Sequence, residues 1–111
     1  MQGRIVKIQW TPFALNCLNE IYDYILFREK SPVPGSRLIN SIFDRVEQLK
    51  EFPESGRLEP ILSSTGNSRR FLTLASYKII YQYFPKRDLV VVTDVFHTSL
   101  YPEKIKRSDA E

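Results

Sequence analysis

One cysteine, Cys17, and one histidine, His97, are all the chain carries of the two residue types that most often staple a small fold or hold its metal. A lone cysteine excludes an intrachain disulfide and a multi-cysteine zinc cage. Neither a metal nor a cofactor is expected, and Cys17, set in an apolar helical pattern, is expected to pack in the interior. Long apolar runs are missing too. Nothing approaches the roughly 18 to 20 apolar residues of a membrane span, and the start of the chain has no signal-type run. The expectation is a protein with no membrane partner, located in the cytoplasm. Charge of one sign is also in short supply. A net charge of +3 on 111 residues is a modest basic excess that favours acidic partners without singling out nucleic acid, and ordinary solubility explains it as well.

What is present suffices for a core. Apolar residues make up 42% and aromatics 13%, which excludes a disordered or low-complexity chain. The length fits one domain over residues 1–111, with a polar tail over about 99–111.

Residues 4–10 alternate, with Val6, Ile8 and Trp10 on one face and Lys7 and Gln9 on the other, as a strand does. Thr11 followed by Pro12 is a helix start, because the hydroxyl accepts an orphan N–H and proline needs no donor there. Ala14, Leu18, Ile21 and Ile25 then mark one stripe of a helix running to about Arg28. Ser31-Pro32-Val33-Pro34-Gly35 reads as the loop of a helical hairpin, with a second helix from about Ser36 to Glu51 ended by Phe52-Pro53. Residues 53–68 read as a long Pro/Gly/Ser-rich loop, a type that is often functional. Three strand-like runs follow, at residues 69–74, 77–84 and 89–96, joined by short turns into a meander.

The expected fold is therefore α+β. It has an N-terminal strand, an antiparallel two-helix hairpin and a three-stranded antiparallel meander, with the helices packed on one face of the sheet. The other face stays available to solvent or a partner. Polar residues persist inside the strands, notably Lys78, Gln82, Thr93 and Asp94, and tyrosines 77, 81 and 83 add amphipathic contact area.

The element order resembles that of the RelE/ParE toxins over nearly the whole chain. Several segments resemble their usual wording: Trp10-Thr11-Pro12 opening the first helix, Phe52-Pro53 through Gly56-Arg57, Tyr77-Lys78-Ile79-Ile80-Tyr81, Val95-Phe96-His97-Thr98, and Pro102-Glu103-Lys104. The resemblance implies a type II toxin neutralised by a cognate antitoxin that covers its active surface. ParE-like members bind DNA gyrase; RelE-like members cut messenger RNA on the ribosome without metal.

Metal-free RNA cleavage needs a base for the ribose 2′-hydroxyl, an acid for the leaving oxygen and cations for the phosphorane. The YoeB branch of these nucleases pairs a loop glutamate with a strand arginine and a terminal histidine. The matching positions are Glu59 as base, Lys78 in place of arginine and His97 as acid, with Arg70 supporting phosphate. Each has a plainer reading. His97 would end a strand and bond to backbone, Glu59 would be solvated in its loop, Lys78 would lie on the solvent face, and Arg57 would brace the loop. Arg57, Arg69, Arg70, Tyr77 and Tyr81 are the candidates for contact with target, antitoxin or phosphate.

Three departures weigh against the nuclease. Lys78 lacks the planar fork of arginine, Ser99 stands where an arginine often follows the threonine, and the chain continues well past His97. The long hairpin and modest basicity favour a ParE-like toxin acting on gyrase. Ribosome-dependent RNA cleavage is the alternative, and a non-toxic binding or regulatory module of the same fold is a third.

Overall fold

The computed structural model describes residues 5–59 and 69–100. The run at 63–68 and the tail beyond Leu100, including Pro102-Glu103-Lys104, lie outside the described residues, as does Arg4.

β1 spans Lys7–Trp10 and runs straight into α1, Pro12–Glu29. Thr11 makes the join. Its Oγ1 accepts from Ala14 N at 3.0 Å, a cap whose removal costs about 1 kcal/mol, while its own N–H donates to Val92 O at 3.1 Å. The helix start is thereby pinned to the sheet.

α2 covers Pro32–Glu47 and so begins at Pro32 rather than at Ser36. Both prolines of the supposed loop lie in its first turn, where backbone N–H groups have no intrahelical acceptor and proline loses nothing. Ser31 is the cap, its Oγ accepting from Val33 N at 3.2 Å. Only Lys30 and Ser31 are left to turn the chain. Lys30 does so in the left-handed region, at φ 60°, with its N–H donating to Leu26 O at 2.9 Å. Gly35 lets the two helices close up, since a Cβ there would stand 2.9 Å from the Tyr22 ring. A single 3₁₀ turn, Gln48–Lys50, finishes the second helix and buries Leu49 completely.

The strands that follow are β2 (Arg57–Leu58), β3 (Arg70–Leu74), β4 (Tyr77–Phe84) and β5 (Leu89–His97). The sheet order is β1-β5-β4-β3-β2. The β3, β4, β5 meander matches the three strand-like runs of the sequence closely. Two features add to it: β1 pairs parallel with β5, from Lys7 opposite Leu89 to Trp10 opposite Val92, and β2 lengthens the other edge. A bulge at Ile80/Tyr81 shifts the β4–β5 register by one residue on β5.

One core fills the space between hairpin and sheet. Ala14, Cys17 and Leu18 of α1 and Ile42 and Val46 of α2 meet Leu72, Ile79, Tyr81, Val90, Val92 and Val95. Cys17 is buried, as its helical setting implies. Ile79 is fully enclosed, so trimming it to alanine would cost about 2–5 kcal/mol. A second, smaller cluster of Ile80 and Phe96 with Phe71 sits on the opposite face of the sheet. None of the described helices is long and apolar enough to cross a membrane.

Candidate functional site

Successive side chains on a strand point to opposite faces, so the register decides which candidates can act together. Tyr77 pairs with His97 and Ile79 with Val95, and these four face the hairpin. Lys78 pairs with Phe96 and Ile80 with Asp94, and these face away from it. His97 and Lys78 therefore lie on opposite faces of the sheet.

On the face away from the helices, β2 pairs with β3 and carries Glu59 inward, its N–H donating to Arg69 O at 2.7 Å. Glu59 is only 2% exposed, which corrects the expectation of a solvated loop carboxylate: strand pairing at the sheet edge, invisible in its polar surroundings, draws it in. Its Oε2 lies 3.2 Å from Lys78 Nζ, and that ammonium also stands 4.1 Å from the Phe71 ring centroid. Lys78 does face away from the hairpin, yet these two partners hold it partly buried instead of free in solvent. Such a pair costs desolvation on both sides, so its value is in fixing geometry more than in net stability.

Asp94, a polar residue inside β5 by sequence, is the second buried carboxylate on this face. It is 2% exposed, and neither carboxylate oxygen has a hydrogen-bond partner. Its signal in the sequence was a lone acid in the most apolar strand of the chain. Arg69 Nε is likewise buried without a partner.

Tyr81 and Arg70 prove to be braces. Tyr81 is wholly buried on the helix side. Its hydroxyl accepts from Gly56 N at 2.9 Å and donates to Pro53 O at 2.8 Å. It cannot itself present a contact surface, because the aromatic ring belongs to the core. Burial pushes its phenol above the usual tyrosine range, the Gly56 N–H pulling partly the other way. Arg70 Nη1 donates to Gly56 O at 2.8 Å and Glu54 O at 3.3 Å, so the bracing expected of Arg57 falls to Arg70. Arg57 itself is exposed on β2, opposite Phe71.

Tyr77 and His97 line a recess of about 550 Å³ between α1 and the sheet, with Cys17, Glu20, Tyr24 and Arg28. The His97 ring meets Tyr77 edge-on, centroids 5.2 Å apart. Its Nδ1 accepts from Ser99 N at 3.2 Å and lies 2.8 Å from Ser99 Oγ, the local backbone bonding of the plainer reading. Burial raises the Tyr77 phenol as well, opposed by the charge of Arg28. The structure thus brings Glu59 and Lys78 together and sets His97 apart from them. Among the described residues, no group of three or more His, Cys, Asp or Glu side chains is placed to hold a metal ion.

Two solved structures share the fold. A chain from the chromosomal ParDE toxin–antitoxin system of P. aeruginosa superposes with a TM-score of 0.68 at 19% identity, covering 84% of this chain and 96% of its own. One from the toxin–antitoxin complex RelBE2 of Mycobacterium tuberculosis gives 0.55 at 13% identity, covering 86% and 94%. No curated protein matches by sequence. The model of the ParE toxin of the type II toxin–antitoxin system parDE matches residues 8–100, from β1 through the end of the sheet, and the chain belongs to that family of toxins.

Proposed function

We propose that this toxin arrests growth by binding DNA gyrase, without chemistry of its own, and that a cognate antitoxin neutralises it by covering the sheet. The carrying observation is the separation of His97 from the Glu59–Lys78 pair: the base, cation and acid of a metal-free ribonuclease have to converge on one ribose-phosphate, and here they stand on two faces. Membership of the ParE family supports the same reading, as does the toxin–antitoxin setting of both structural neighbours.

A second reading, ribosome-dependent cleavage of messenger RNA, draws on one specific feature. Glu59 is a buried carboxylate held beside a cation, as a general base would be. Purified toxin added to a gyrase supercoiling reaction separates the two. Inhibition is expected at stoichiometric toxin, with translated messages intact during growth arrest. Unimpaired supercoiling at saturating toxin, together with cut messages that disappear on Glu59→Ala, would replace the first reading by the second. Absence of growth arrest on expression without antitoxin would leave a binding module that has lost toxicity.

A further inference from the structure

Where β2 begins, a recess of about 260 Å³ opens at the sheet edge, lined by Arg45 of α2, Ser55, Arg57 of β2 and Thr73 of β3, with Phe71 and Leu72 as its apolar part. Its polar side chains are two guanidiniums and two hydroxyls, all able to donate, and no carboxylate lines it. Arg45 is fixed in place, its Nε donating to Thr73 O at 3.2 Å and its Nη1 to Gln48 Oε1 at 2.7 Å. Both acceptors are neutral, so the charge is positioned without being compensated. Arg57 is exposed, and among the described residues its side chain makes no hydrogen bond or ion pair. Two like charges drawn to one recess repel each other, a cost that a bound anion would turn into an attraction.

We infer that this recess receives a carboxylate side chain, Asp or Glu, of the antitoxin, gripped by Arg57 with Arg45 behind it. This rests on the reading above that the toxin's partner is a protein antitoxin. The planar fork of a guanidinium matches the two oxygens of a carboxylate, and the hydroxyls of Ser55 and Thr73 add neutral donors. Phosphate shares that chemistry, but two observations favour a protein. β2 covers β3 only at Arg70 and Phe71, so β2 leaves the edge beside Thr73 open to an extended peptide segment. The net charge of +3 is small for a surface that lives by neutralising phosphates. Arg45 and Arg57 come from different elements, so a carboxylate seated between them would report the correct placing of helix, strand and partner together.

The test is calorimetric titration of the toxin with the antitoxin encoded beside it, using wild type, Arg57→Gln and Arg57→Lys against antitoxin variants with one Asp or Glu at a time changed to its amide. Arg57→Gln is expected to weaken the complex about tenfold or more, and Arg57→Lys to recover only part of the loss. One antitoxin amide variant should weaken binding comparably, and combining it with Arg57→Gln should add little. The melting temperature of free Arg57→Gln toxin should be unchanged, because the side chain holds nothing there. Wild-type affinity of Arg57→Gln would overturn the assignment, as would an antitoxin scan with no variant weaker by more than about fivefold (about 1 kcal/mol). A lowered melting temperature of free Arg57→Gln would overturn it in favour of a brace. A short fluorescent DNA duplex is the control: if Arg57→Gln weakens its binding while antitoxin affinity stays at the wild-type value, the anion is phosphate and the assignment falls. Each of these outcomes leaves the antitoxin reading intact, whereas wild-type toxin that does not bind the antitoxin at all would remove that reading and this inference with it.

Discussion

Removing one oxygen atom, by Tyr81→Phe, tests how the loop before β2 is held. The Tyr81 hydroxyl bridges Gly56 N at 2.9 Å and Pro53 O at 2.8 Å from a ring that is fully buried. Phenylalanine fills the same space, so the change leaves packing alone and strands one buried donor and one acceptor. An unpaired buried group costs about 1–3 kcal/mol. Relaxation of the loop toward water limits the loss, so about 2 kcal/mol is expected for the pair. For a domain of this size that is a fall in Tm of roughly 8 °C or more. The effect should also be local, with hydrogen exchange at the Gly56 amide rising more than at the Ile79 amide in the sheet centre. A pH dependence follows from the same contact. The folded phenol has a raised pKa, so it keeps its proton where the unfolded tyrosine, near 10, has begun to lose it. Its contribution is complete below about pH 10 and is lost as pH rises through the folded value. Tyr81→Phe should therefore flatten the alkaline loss of stability, leaving the part due to Tyr77, which is raised as well. Unchanged Tm together with unchanged Gly56 exchange would refute the bracing role.

Gly56→Ala attacks the same loop from its other side. The added Cβ would stand 2.6 Å from the Tyr81 hydroxyl and 2.8 Å from the backbone oxygen of Phe71, and the latter cannot swing away, so a loss of about 1–3 kcal/mol is expected in urea unfolding. Lys78→Met should cost as much, up to about 3 kcal/mol, by taking the ammonium away from the buried Glu59 carboxylate. Adding Glu59→Gln should return much of that loss, and a double-mutant cycle in denaturant that shows strict additivity would count against the pair being coupled.

Much of the fold was legible because it is written in local patterns. Thr11-Pro12 marks the first helix start within one residue, and a tyrosine- and isoleucine-rich run bounded by Ala75-Ser76 and Pro85 gives β4 its full span. What was not legible depends on partners. Pro34 looks like a helix breaker until it is placed in the first turn, where its missing N–H has no use. Arg57 and Leu58 have no strand pattern of their own and become β2 only because the edge of β3 offers them hydrogen bonds. The burial of Glu59 follows from that pairing, which is why a polar loop gave no sign of it. The sorting of site residues by face needed register as well. Alternation puts residues 77 and 78 on opposite faces, but only the pairing of Tyr77 with His97 tells which side the histidine takes.

These contacts converge on one segment. Residues 53–59 are held from the helix side by Tyr81 and Arg70 and from the other side by Lys78. A loop tied from both faces gives up little conformational entropy when a partner arrives, so the surface it builds with β3 and β4 is ready-made. The retained desolvation cost of a buried Glu59–Lys78 pair makes sense in that setting. An apolar pair would hold the loop as firmly, yet it would offer a partner no charge by which to find its register.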